Sequence, residues 1–240
     1  MRLRAGLLGI ACLASWWIAG TARSTEPEVH ATGFFLNEVG DVLTARHAVE
    51  KCKTLYVVKN GRIDQAWLRA IALGADLAVL KTRLKPSLPA TFPIEAFEET
   101  TPKPVFAEAY GVLQEMPDRS RAMFNAVTVP GNGHFSMMSP VRPGASGSAV
   151  LGADGRVLGM VIERTANSRS PRGTRSLSRY STNHLPQGAA TEVGAVTYVE
   201  IKRFLRDNAV MFHESSQAQL GSGQASAPRA ATLSVGVICG

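Results

Sequence analysis

The sequence predicts an all-β protein of the barrel type. The chain has 240 residues, of which 45% are hydrophobic and 19% are charged, so it can bury a sizeable core in one or two domains. Short apolar runs alternate with turns rich in Gly, Pro and Asn, which is typical of antiparallel barrels. Strands are predicted at residues 32–36, 42–45, 55–58, 67–73, 77–81, 105–110, 125–129, 148–151, 157–162 and 195–198.

The C-terminal part of the chain follows a different pattern. Residues 199–208 carry Ile201, Phe204 and Leu205 with basic residues between them, which predicts a short amphipathic helix that closes the fold. Residues 209–240 are rich in Ser, Ala, Gln and Gly, with an apolar end at residues 233–239. This composition predicts a flexible C-terminal tail.

The segment GASGS at residues 144–148 contains the residue types that acyl transfer requires. Ser146 stands between small residues on a predicted tight turn, where a substrate carbonyl can approach its hydroxyl. The backbone N–H groups of Gly144 and Ser146 can point together at a developing oxyanion. The same residues also occur in ordinary hairpin turns, so the segment by itself does not identify a nucleophile.

Two residues upstream can serve as partners for this serine. His47 follows one apolar strand-like run, and Asp76 stands at the start of another, LAVL at residues 77–80. Strand ends hold side chains rigidly, as a base oriented by a carboxylate requires. Taken separately, His47 is also consistent with a buried core histidine and Asp76 with a turn residue. The order His, Asp, Ser is that of a chymotrypsin-type triad and differs from the subtilisin and α/β-hydrolase orders.

The chain resembles the bacterial trypsin-like serine peptidases of chymotrypsin fold, and the periplasmic HtrA/Deg proteases and secreted glutamyl endopeptidases are the nearest groups. The resemblance extends over residues 31–208 and is carried by GFFL at 33–36, LTARH at 43–47, ADLAVL at 75–80, PGASGS at 143–148 and GRVLGM at 155–160. It implies two six-stranded antiparallel β-barrels in a peptidase domain at residues 23–208, with the boundary between the barrels near residue 100.

The resemblance also implies a role for each candidate residue. Ser146 is expected to be the nucleophile, His47 the general base and Asp76 the group that orients the base, with Gly144 and Ser146 as the oxyanion hole. The predicted function is therefore endopeptidase hydrolysis of protein or peptide substrates. The alternative is a catalytically silent relative that uses the barrels as a peptide- or partner-binding module.

Two departures limit what the resemblance implies. Ala145 stands where the animal digestive enzymes carry an aspartate that pairs with a newly cut N-terminus, so that route of activation is not expected. Only about thirty residues follow Asn208, which is too few for the peptide-binding PDZ domain of the HtrA proteases. Substrate capture by a PDZ domain is therefore not expected.

The first residues predict an export signal. Arg2 and Arg4 precede an apolar run at residues 7–19, and small residues follow at 20–22, so residues 1–22 are predicted to be a signal peptide. The run is short for a bilayer, so an uncleaved anchor is the less favoured alternative and no stable membrane span is expected. A lipoprotein attached at Cys12 is also less favoured, because the preceding residues match a lipobox poorly. The protein is expected to be periplasmic or secreted.

Without the signal, Cys52 and Cys239 remain, an even number for an oxidising compartment. They either form a disulfide or stay apart, with Cys52 in the core and Cys239 in the tail. The histidines lack the spacing of metal ligands, so no metal or other cofactor is expected.

The formal net charge is +7, and the excess of basic over acidic residues is concentrated in the arginine-rich stretch at residues 164–179. This stretch either overhangs the substrate cleft and favours acidic substrates, or is a solvated insertion. Only Tyr180 supplies an aromatic ring near these arginines, which argues against nucleic-acid binding.

Overall fold

The computed structural model describes residues 29–95, 101–130, 135–164, 175–176 and 191–240. The predicted signal peptide, the expected barrel boundary near residue 100 and most of the arginine-rich stretch lie outside these residues. Within the described ranges, no helix is both long enough and apolar enough to cross a membrane.

The described elements are mostly short strands. In chain order the strands are β1 Ala31–Phe35, β2 Asp41–Thr44, β3 Leu55–Lys59, β4 Arg62–Ile71, β5 Ala78–Lys81, β6 Thr91–Pro93, β7 Pro104–Val105, β8 Ala126–Val129, β9 Ser136–Ser139, β10 Ala149–Leu151, β11 Val157–Arg164, β12 Arg175–Ser176, β13 Thr191–Thr197, β14 His213–Ser215 and β15 Ser234–Cys239. The α-helices are α1 Tyr110–Glu115, α2 Tyr198–Asp207 and α3 Ser226–Leu233.

Twelve of the strands form two antiparallel barrels, as predicted, while β6 and β14 form a separate parallel pair and β12 pairs with β11 beside the second barrel. The first barrel is closed in the order β1-β15-β3-β4-β5-β2, and the second runs β7-β8-β9-β13-β11-β10. An isolated bridge between Phe106 and Leu151 brings the two ends of the second sheet together. The prediction of an all-β fold with two six-stranded barrels is confirmed.

Continuous apolar runs in the strands have a simple cause, because both faces of these strands are buried. Val42 and Leu80 point into the first barrel, whereas the adjacent Leu43 and Val79 belong to a second cluster shared with the other barrel and the helices. Successive side chains of a strand point to opposite faces, so a strand buried on both sides needs apolar residues throughout.

Of the strand predicted at 105–110 and the closing helix, the structure corrects the first and contains the second. The strand predicted at 105–110 ends at Val105, and Tyr110 instead begins α1. The closing helix predicted at 199–208 is present as α2, and the Thr197 hydroxyl caps it by accepting a hydrogen bond from Glu200 N–H.

The flexible tail predicted for residues 209–240 is wrong, because these residues are folded. They form β14, α3 and β15, and β15 lies between β1 and β3 in the first barrel. Val235 and Val237 are fully buried there. Without β15, the facing edges of β1 and β3 would have no backbone partners. The C-terminal end of the chain therefore completes a barrel otherwise built from its first half.

The sequence leaves undecided whether Cys52 and Cys239 pair. In the structure they form a disulfide. It fastens the end of β15 to the segment before β3. The N–H groups of Lys53 and Thr54 also donate to the carbonyl of Gly240, at 2.9 and 3.0 Å.

Removing this disulfide is expected to lower the free energy of unfolding by about 3 to 5 kcal/mol, because it joins residues 187 apart in sequence. The measurement is denaturant unfolding of the double variant Cys52→Ala, Cys239→Ala, with reduced wild-type protein as the matched control. Equal unfolding free energies for the oxidised protein and the double variant would contradict a stabilising role.

Candidate active site

His47 and Asp76 meet because β2 and β5 are antiparallel neighbours. Thr44, at the end of β2, pairs with Ala78, at the start of β5, so the segments beyond these two residues lie side by side. His47 follows β2 in a single helical turn, and Asp76 precedes β5. His47 Nδ1 lies 2.6 Å from Asp76 Oδ2, and His47 backbone N–H donates to Asp76 Oδ1 at 2.9 Å.

The electrostatics of this pair keep the carboxylate ionised. Burial is the largest single influence on the pKa of Asp76 and raises it. The hydrogen bonds from His47 and the charges of His47 and Arg46 together outweigh burial, so the pKa lies below its ordinary value. An ionised Asp76 accepts from Nδ1–H and leaves Nε2 as the acceptor nitrogen of a neutral ring. Nε2 is buried without a hydrogen-bond partner among the described residues.

Ser146 lies in the turn before β10, at the junction of the two barrels. The adjacent Gly147 packs so closely on the first barrel that a Cβ there would lie 2.7 Å from Thr44 Oγ1 and 3.1 Å from Ala45 N. The serine segment therefore lies against the chain just before His47. Ser146 Oγ itself donates to the carbonyl of Ile162, at 3.2 Å, and makes no hydrogen bond with His47 in this structure.

The turn before Ser146 is of a type that depends on glycine. Ala145 N–H donates to Arg142 O at 3.2 Å, and Gly144, the third residue of this turn, has a φ of 92°. A positive φ at that position marks a type II turn, which requires glycine there. Gly147 also has a positive φ, 86°. A side chain at either glycine would strain the turn.

The N–H groups of this turn divide into bonded and free ones. Gly147 N–H donates to Val161 O at 2.7 Å, and Ser148 N–H donates to Ala145 O at 2.8 Å. The N–H groups of Gly144 and Ser146 have no acceptor among the described residues. These are the two groups that the sequence predicts as oxyanion donors, and they are available to bind a negatively charged oxygen.

Thr32, in β1, holds this turn from the other barrel and was not among the predicted site residues. Its hydroxyl donates to Gly144 O at 2.7 Å and accepts from Tyr110 N–H at 2.8 Å. Its backbone N–H donates to Ser146 O at 2.9 Å. The side chain is fully buried. The only signal in the sequence is a hydroxyl residue inside an apolar strand.

Comparisons with solved structures report similar proteins at low identity. The Rv3671c protease from M. tuberculosis in its active form is 16% identical with a TM-score of 0.50, over 80% of this chain and 78% of that one. The serine endoprotease from Yersinia pestis is 18% identical with a TM-score of 0.48, over 74% and 57% of the two chains. The HtrA-type protease AlgW, solved with a decapeptide, is 17% identical with a TM-score of 0.48, over 75% and 51%.

The alignments therefore span little more than half the length of the Yersinia and AlgW proteins. No curated protein sequence matches the chain. The sequence model of the trypsin-like peptidase domain matches residues 31–160, which is more than half of the chain and includes the barrel strands that position His47, Asp76 and Ser146. The chain belongs to the trypsin-like peptidase family.

Proposed function

We propose that the protein is an exported serine endopeptidase that cleaves peptide bonds through an acyl-enzyme. Ser146 Oγ attacks the scissile carbonyl while His47 Nε2 accepts its proton, and the imidazolium then gives that proton to the leaving amine. Water hydrolyses the acyl-enzyme with His47 again as the base. Asp76 fixes the ring tautomer and stabilises the imidazolium. Gly144 and Ser146 N–H groups bind the oxyanion.

The observation that carries this proposal is the pair of unbonded N–H groups. The N–H groups of Ala145, Gly147 and Ser148 have carbonyl acceptors, whereas those of Gly144 and of the candidate nucleophile Ser146 have none among the described residues. A buried turn that serves only structure satisfies its donors. Free donors beside a serine support a site built to bind an oxygen that gains charge during the reaction.

The position of Ser146 Oγ defines what must change before reaction. Its hydrogen bond to Ile162 O has to be exchanged for one to His47 Nε2, which has no partner among the described residues. Hydrogen bonds of a catalytic site are often long or misdirected without substrate and tighten in the complex. We expect substrate binding to favour this exchange.

Two observations support export. The first 22 residues have the order of a signal peptide, a basic start followed by an apolar run and small residues. The Cys52–Cys239 disulfide fits an oxidising compartment, where such bonds form and persist.

The decisive test is labelling with an active-site-directed fluorophosphonate, which phosphonylates an activated serine. We expect the wild-type protein to be labelled at Ser146 and the Ser146→Ala variant to remain unlabelled. Ser148→Ala is the matched control, because this neighbouring serine has a buried hydroxyl without a hydrogen-bond partner among the described residues. That variant is expected to label like the wild type. A folded wild-type protein that takes no label, and that binds casein without cleaving it, would instead support the silent binding module.

Thr32→Val tests how the turn is held. The substitution keeps the shape of the side chain but leaves Gly144 O and Tyr110 N–H without their partner. We expect kcat to fall roughly 10- to 100-fold, with KM changed little, and the free energy of unfolding to fall by about 1 to 3 kcal/mol. Thr32→Ser keeps the hydroxyl and is expected to retain most of kcat. Steady-state kinetics on a peptide substrate distinguish the two variants, and equal kcat values for them would contradict a positioning role.

A further inference from the structure

Arg229, in α3, is a buried cation without an acidic partner. Its residue exposure is 7%, and its Nη2 donates to Pro89 O at 2.9 Å. Its Nε is buried and has no hydrogen-bond partner among the described residues. No described carboxylate forms an ion pair with it. Burial is the only influence on the pKa of Arg229 and lowers it. Buried charges are normally paired, so this guanidinium lacks the anion that its environment calls for.

Arg229 is among the residues that line a cavity of about 550 Å³. This volume is in the range that holds small organic ligands rather than a single ion. Leu88, Pro89 and Leu220 give the cavity apolar walls, and Thr91 adds a hydroxyl. A ligand that fits here has an acidic group for Arg229 and an apolar part for these walls.

The two acids on the same cavity wall already contact other side chains. Glu38 lies 3.0 Å from His213 Nε2. Glu214 lies 2.7 Å from Lys202 Nζ and 3.1 Å from Arg206 Nη2. Neither acid contacts Arg229, which is therefore, among the described residues that line the cavity, a guanidinium without a carboxylate partner.

We propose that this cavity binds a carboxylate ligand, whose two oxygens pair with the Arg229 guanidinium while its apolar part packs against Leu88 and Leu220. The planar guanidinium matches a carboxylate in a two-bond arrangement, which gives direction as well as charge. The ligand is either the C-terminal residue of a peptide or a small organic acid, since both offer a carboxylate next to an apolar group.

A ligand bound at Arg229 is expected to affect the stability of β15, the strand that completes the first barrel. Arg229 belongs to α3, and α3 passes directly into β15. Gly236 of β15 pairs with Thr32, the residue that holds the serine turn. A ligand that binds only the folded protein raises its stability, so the carboxylate is expected to stabilise α3 and β15 against unfolding. The proposal does not depend on catalysis, because no candidate catalytic residue lines the cavity.

The test is calorimetric titration with N-acetyl-leucine and, as the uncharged match, N-acetyl-leucinamide. We expect the wild-type protein to bind the acid at least about tenfold more tightly than the amide, and to melt at a higher temperature in its presence. Arg229→Met is expected to lose this preference. Arg83→Met is the matched control, because Arg83 is an exposed arginine paired with Asp64 and lies outside the cavity. It is expected to bind like the wild type.

The melting temperature without ligand shows whether Arg229 is needed for ligand binding or for the stability of the fold. Without ligand, Arg229→Met is expected to melt no lower than the wild type, since it removes an unpaired buried charge and keeps the length of the side chain. If that variant fails to fold, the comparison of acid with amide on the wild-type protein still tests the proposal.

The two ligand sources are distinguished by chain length. Binding of acetyl-Ala-Ala-Leu about tenfold more tightly than N-acetyl-leucine indicates a peptide terminus, and equal binding indicates a small organic acid. Equal affinities for acid and amide, unchanged binding by Arg229→Met, or no binding of any probe at about 10 mM would each overturn the proposal.

Discussion

Deletion of residues 234–240 is expected to unfold the first barrel and abolish peptidase activity. These residues form β15, which pairs with β1 on one side and β3 on the other, so its loss opens two facing strand edges. The deletion also removes the buried Val235 and Val237, worth about 3 to 6 kcal/mol together. It removes the disulfide as well, worth about 3 to 5 kcal/mol. These losses rival the entire stability of an ordinary domain, about 5 to 15 kcal/mol.

Circular dichroism, dye binding to exposed apolar surface and peptide hydrolysis measure this outcome. The Cys52→Ala, Cys239→Ala variant is the matched control, because it lacks the disulfide and keeps the strand. It is expected to be folded and active but less stable. Addition of a synthetic peptide covering residues 226–240 to the truncated protein is expected to restore part of the activity, since a free strand can pair with open sheet edges. A truncated protein with native circular dichroism and full activity would contradict the role of β15.

His47→Ala is expected to lower kcat on the order of 10⁴-fold or more, with the fold intact. Without the imidazole, no group takes the Ser146 proton, and a neutral hydroxyl is a poor nucleophile. Asp76→Asn is expected to lower kcat by about 10⁴-fold, because an amide does not enforce the tautomer that leaves Nε2 as acceptor.

The measurement is steady-state hydrolysis of a peptide substrate, with thermal unfolding to show that each variant is folded. His30→Ala is the control, since His30 precedes β1 and lies outside the candidate site. Its kcat is expected to equal that of the wild type. Wild-type kcat in His47→Ala would leave Ser146 without its base, and wild-type kcat in Asp76→Asn would remove Asp76 from the mechanism.

The positions of the candidate site residues could be predicted largely from sequence, because they depend on local signals. His47 and Asp76 stand at the ends of β2 and β5, and these antiparallel neighbours bring the two side chains together through regular pairing. Glycine at residues 144 and 147 meets a local demand for positive φ, which the composition of the turn already indicates. Burial of both strand faces similarly explains why strands such as β1, β2 and β5 are visible in the sequence as continuous apolar runs.

The features that could not be predicted from the sequence depend on contacts between distant segments. A local sequence pattern cannot show that β15 pairs with β1, because about two hundred residues separate the two strands. The polar residues shortly before β15 also have the composition of a flexible tail. Cys52 likewise lies 187 residues from its disulfide partner. Sequence also does not show that Thr32 reaches across to Gly144, that Ser146 Oγ rests on Ile162 O, or that Arg229 is buried without an acid. The sequence alone determined which residues are candidates for the chemistry, since residue types and turn geometry are local. Only the tertiary structure decided which strand closes the barrel and which polar groups are left unpaired, because both depend on contacts between distant segments.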